Sequence, residues 1–100
     1  MLNKLGKDKE NMFESIDVKI GKITFCDDGD YLKEDLFQVE FPHEIIVDVG
    51  WYSGLEAFII FIVQSYNWDN PVMKHIVHDE KNLLLDLQKI IDEITTESIS

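Results

Sequence analysis

Apolar and polar residues alternate with period two through much of the chain and change to helical spacing only near its end. Ile16, Val18 and Ile20 alternate with Asp17 and Lys19; the parity then shifts across Gly21-Lys22, and the pattern resumes at Ile23 and Phe25. Residues alternating in this way share one side of a pleated strand. A bulge or a tight hairpin at Gly21 accounts for the shift, because glycine accepts the positive φ that either needs. Asp27-Asp28-Gly29-Asp30 is a turn signal. Phe37, Val39 and Phe41 then alternate with Gln38 and Glu40, predicting a half-buried strand that stops at Pro42, since proline donates nothing to a ladder. Ile45, Val47, Val49 and Trp51 form a further face opposite Asp48, up to a turn at Ser53-Gly54.

Residues 55–63 differ, because Ala57, Ile59, Phe61 and Val63 point one way and Phe58, Ile60 and Ile62 the other, so both faces are apolar. The pattern predicts a central strand covered on both sides. A helix accounts for one cover, and the N-terminal segment or a partner chain for the other. Asn67-Trp68-Asp69-Asn70-Pro71 reads as a loop. Over residues 72–77 the spacing of Val72, Met73, Ile76 and Val77 suits a helix, while the short length and β-branching suit a strand, which is the expectation adopted.

Leu83, Leu84, Leu87, Ile90, Ile91 and Ile94 fall on one stripe of an amphipathic helix. Asp79 is its expected N-cap, Glu80 favours the positive end of the helix dipole, and residues 95–100 are expected to fray. The predicted architecture is α+β: one domain over residues 1–100, an antiparallel sheet of four to five strands with one C-terminal amphipathic helix packed on one face.

Charge changes the picture more than size does. One hundred residues make one domain. Nine lysines and no arginine stand against twenty acids, a net charge of −11. Such a field repels nucleic acid and anionic membranes, and the chain lacks the planar fork that reads guanine or clamps phosphate. It can attract basic protein surfaces instead and speed association with them, while composition alone favours the bland reading that the charge only keeps the protein in solution. The acid is uneven: residues 27–48 hold eight acids against Lys33 alone, a net −7. A solvated loop followed by the polar side of a strand is the bland meaning of that stripe. The longest apolar run, 57–63, falls far short of the roughly 20 residues a membrane helix needs, and no apolar segment opens the chain, so a cytoplasmic location is expected.

Candidate chemistry is sparse. The five glycines make no Walker or dinucleotide spacing. Placed first in a calcium loop, Asp28 is followed by no glycine at the sixth position and no glutamate at the twelfth. His75 and His78 on a strand project to opposite faces, which defeats chelation. Cys26, the single cysteine, excludes an internal disulfide and is expected as a small core residue. A general acid needs a carboxyl raised by burial, and these acids sit in polar company. The expectation is a non-enzyme with no catalytic residues, no metal and no cofactor. Trp51 is expected to close a strand and pack on the sheet, whereas Tyr52 and Trp68, adjoining turns, are interface candidates.

Val47-Asp48-Val49-Gly50-Trp51-Tyr52-Ser53-Gly54, the apolar strand at 58–63, Trp68-Asp69-Asn70-Pro71 and the leucine-rich terminal helix together resemble the small immunity proteins of bacterial polymorphic toxin systems, including contact-dependent growth inhibition. The resemblance covers residues 44–96. It implies a cytoplasmic, non-enzymatic protein that binds and neutralises the C-terminal toxin domain of a cognate effector, often a nuclease. With the charge reading, the expected partner is a toxin domain with a basic surface, engaged at its active site or at an exosite. The expected contacts are Asp28, Asp30, Glu34, Asp35, Glu40, Asp48, Tyr52, Trp68 and Asp69, on a chain that is a monomer or weak homodimer. A small acidic interaction or scaffold domain that self-associates through its sheet is the alternative.

Overall fold

The computed structural model describes residues 12–27 and 33–99. Its strands are β1 (Lys22–Cys26), β2 (Phe37–Phe41), β3 (Ile45–Tyr52), β4 (Ala57–Gln64) and β5 (Met73–Val77), followed by the helix α1 (Glu80–Ile99). Each strand pairs antiparallel with the next, so the sheet is a meander in the order β1-β2-β3-β4-β5. The predicted α+β fold is therefore present, and residues 73–77 form a strand.

Register decides the two faces. Val39 pairs with Val47, Val47 with Ile62, and Val49 with Ile60, so these residues share the face under α1 with Phe37 and Phe41. Leu83, Leu87, Ile90 and Ile91 complete that core from the helix, and Val39, Val47, Val49, Ile60, Leu83, Leu87 and Ile91 are fully buried. Phe13 joins them by stacking on Phe37, with ring centroids 4.5 Å apart. Trp51 packs edge-on against Phe58 at 4.9 Å, as expected of a residue closing a strand. On the other face Ile46, Ala57, Ile59 and Val63 are buried as well, in keeping with the two-sided apolar pattern of β4.

The helix begins where capping chemistry places it. Asp79 Oδ1 accepts the Asn82 amide at 2.8 Å, and the first helical bond runs from Leu83 N to Asp79 O. Its twenty residues continue through Ile99, past the expected fraying point at 95.

Three further expectations are corrected. Residues 16–20 are not a strand: Gln88 on α1 accepts from Asp17 N at 2.8 Å and donates to Asp17 O at 2.9 Å, so a helix side chain occupies the groups a neighbouring strand would use. The register shift lies between Ile23 and Phe25, not at Gly21. Gly21 serves close approach instead, because an added Cβ would lie 2.6 Å from side-chain carbons of Phe41 and Val39. Cys26 is exposed, since among the described residues β1 pairs with β2 alone and all five of its residues are exposed.

Candidate protein-binding face

The sheet face away from α1 gathers most of the acids singled out by sequence. Asp48 lies mid-way along β3, between Gln38 of β2 and Phe61 of β4. The Gln38 amide donates to its Oδ1 at 3.3 Å. Burial raises the Asp48 carboxyl above its ordinary value; the Gln38 bond opposes the rise and the charge of Asp35 adds to it. The expectation that all the acids sit in polar company fails at this residue, because its neighbours in the ladder remove part of its water.

Glu34 and Asp35 reach the same end of the face through the backbone. Leu36 N donates to Val49 O at 3.0 Å and Trp51 N donates to Lys33 O at 2.8 Å, so residues 33–36 run on beside β3 beyond the start of β2. The Glu34 carbonyl occupies the space a Cβ at position 50 would fill, and only glycine admits it. Asp27 N donates to Leu36 O at 2.8 Å, and Lys33 Nζ stands 3.5 Å from Asp27 Oδ1, which holds both stems of the acidic segment together. Asp28 and Asp30 lie outside the described residues.

Tyr52 completes this end of the face. Its ring meets Phe61 edge-on at 6.1 Å. Burial raises its phenol above the ordinary value, and the charges of Asp48, Glu34 and Asp35 each add to the rise. Three carboxylates thus lie within electrostatic reach of one half-buried phenol.

Glu40, Trp68 and Asp69 are placed differently. Glu40 is on the same face, where its Oε2 accepts the Tyr66 hydroxyl at 3.1 Å. That bond raises the Tyr66 phenol. Tyr66 and Ser65 are both left-handed, at φ 59° and 57°, as are His43 and Glu44 in the facing turn, at 68° and 61°. Ser65 N donates to Glu44 O at 2.9 Å and ties the two turns together. Trp68, 47% exposed, and Asp69 follow in this loop. They therefore stand at the Gln64 end of β4, roughly 24 Å from the Tyr52 hairpin by strand rise. The seven predicted contacts among the described residues do not make one patch: Glu34, Asp35, Asp48 and Tyr52 converge, Glu40 lies further along, and Trp68 and Asp69 mark the far end.

His75 faces α1 and its Nε2 stands 2.8 Å from Asp86 Oδ2, a link from sheet to helix. Among the described residues no group of three His, Cys, Asp or Glu is placed to hold a metal ion, and no helix is long and apolar enough to cross a membrane. Comparison with models of known protein families, with curated proteins and with solved structures finds no match. The functional reading accordingly rests on this chain's own residues.

Proposed function

We propose that this chain is a non-enzymatic inhibitor that binds a basic protein, as an immunity protein binds the toxin domain of its cognate effector. One observation carries the reading: residues 33–36 are laid over Gly50 so that Glu34 and Asp35 join Asp48 around Tyr52. An aromatic ring half-sheltered among carboxylates suits a lysine- or arginine-rich surface. The ring supplies buried contact area and cation–π attraction, while the carboxylates steer the encounter. The overall charge of −11 extends that attraction to long range.

A toxin-bearing reading frame is expected immediately upstream of this one, and a gene standing alone counts against the reading; its toxin domain, immobilised for surface plasmon resonance at two salt concentrations, provides the test. Glu34→Gln with Asp35→Asn slows association and flattens its salt dependence. Tyr52→Ala raises the dissociation rate by the equivalent of about 2 kcal/mol or more, the usual hot-spot threshold. An unchanged on-rate at low salt, or wild-type protein that does not bind the domain, overturns the reading.

A further inference from the structure

The outer edge of β5 has the opposite character to the acidic face. Among the described residues β5 pairs with β4 alone, so its outward amide and carbonyl groups have no ladder partner on that side. Its register with β4 runs unbroken from Met73 to Val77, whereas the other edge, β1, is interrupted by a register shift. A bulge of that kind discourages further pairing, and a regular edge invites it. Val72, Met73 and Ile76 are 66%, 39% and 46% exposed. Residues 72–78 contain no acid, although the chain has twenty; their polar side chains are Lys74, His75 and His78. Beside the edge lies an open groove of about 260 Å³, lined by Met73, His75, Asp86, Lys89, Ile90 and Glu93.

We propose that two copies of this chain pair antiparallel through the open edge of β5, in the register centred on His75 that sets Lys74 of each copy opposite Ile76 of the other. A two-fold axis perpendicular to the sheet keeps opposed residues on the same face, so the pairing must centre on a residue and not between two. Centring on Lys74 opposes two ammonium groups. Centring on His75 avoids this and pairs all five strand residues, with Met73 facing Val77 of the second copy and the Lys74 stem lying on the second copy's Ile76. The His75 ring is turned onto its own helix by Asp86, and the groove leaves space on the helix side of the seam.

Charge permits the pairing despite the −11 on each copy: the acids beside the seam, Asp86 and Glu93, share the groove with His75 and Lys89, and the rest of the acidic cluster lies farther off. β3, which carries Asp48, is two strands in from this edge, and Glu34, Asp35 and Glu40 lie at or beyond it. In the pair the two Asp48 positions are five strand spacings apart, about 24 Å. That is roughly three times the screening length of about 8 Å in physiological salt. The acidic residues of the two copies are thus held apart.

Sedimentation velocity of the whole chain alone, over a dilution series, tests this without any toxin, so its outcome is independent of the proposed function. The wild type shifts from monomer to dimer as concentration rises. Ile76→Lys sets two lysine pairs across the seam and weakens association by about tenfold or more. Adding Lys74→Glu to that variant turns both pairs into Glu–Lys pairs and restores the dimer. Circular dichroism melting confirms that each variant is folded. A wild type that stays monomeric at the highest concentration it tolerates overturns the proposal and leaves the edge to a strand of another protein. Association unaffected by Ile76→Lys, or a double variant that fails to recover, overturns the register.

Discussion

The two faces of this sheet come from the same strands and the same alternation, yet they do different work. Under α1, Val39, Val47, Val49 and Ile60 are sealed by Leu83, Leu87 and Ile91, and no polar side chain is buried among the described residues, the His75–Asp86 pair lying at the margin of this face. On the opposite face the buried Ile46, Ile59 and Val63 are interleaved with the half-buried Asp48, Glu40 and Tyr52. A helix laid along a face excludes water across its length, so a carboxylate there would be stranded without solvation. The other face leaves its acids partly in water, and even so burial raises the Asp48 carboxyl. The difference separates a face built for stability from one where stability is given up for charge.

The comparison breaks most sharply at Leu87. This side chain is fully buried between helix and sheet, and Leu87→Ala is expected to destabilise the fold by about 2 to 5 kcal/mol through the cavity it leaves. A denaturant midpoint unchanged within error would show that α1 does not seal this face.

Gly50→Ala probes the opposite side with a single methyl group. The Glu34 carbonyl is backbone and cannot swing aside, so residues 33–36 are displaced, with an expected cost of about 1 to 3 kcal/mol. Hydrogen exchange locates the damage: the Leu36 and Trp51 amides, which bond across this junction, lose protection before those at the centre of β4. Uniform loss of protection over the whole sheet would contradict the local role given to the glycine.

Asp48→Asn is the smallest change and alters sign. Because burial raises this carboxyl, the folded chain holds its proton more tightly than the unfolded chain does. Its contribution favours folding below the ordinary carboxylate range and is lost as pH rises through the raised value. The amide removes that loss, so the variant's melting temperature exceeds the wild type's at neutral pH, and the gap closes as pH falls below the ordinary carboxylate range. If the proposed function holds, the same variant associates more slowly with the proposed basic partner, a gain in stability against a loss of binding rate. A melting temperature that falls at neutral pH would show that Asp48 is a structural acid.

Local pattern sufficed for β2, β3, β4 and α1, where a period of two or 3.6 reports which side of one element meets the core. Asp79 was legible as a cap, and Phe37 to Phe41 as a half-buried strand ended by proline, because both depend on neighbours in sequence. Residues 16–20 misled because their alternation is real but their backbone is engaged by Gln88, 71 residues away from Asp17. Of the acidic contacts, residue types and the stripe were visible, while their grouping was not. The signal that could have found it is Gly50 inside an apolar strand, a mark of close backbone approach.

The sequence by itself determined the α+β class, the C-terminal helix, the charge of −11 and its concentration in residues 27–48. Only the tertiary structure decided that Glu34 and Asp35 stand with Asp48 and Tyr52, that Trp68 and Asp69 lie at the far end, and that Cys26 is on an exposed edge. The reason is the range of the interactions involved: side-chain period and capping act over a few residues, whereas strand order, register and the crossing of one backbone over another join positions that no local pattern relates.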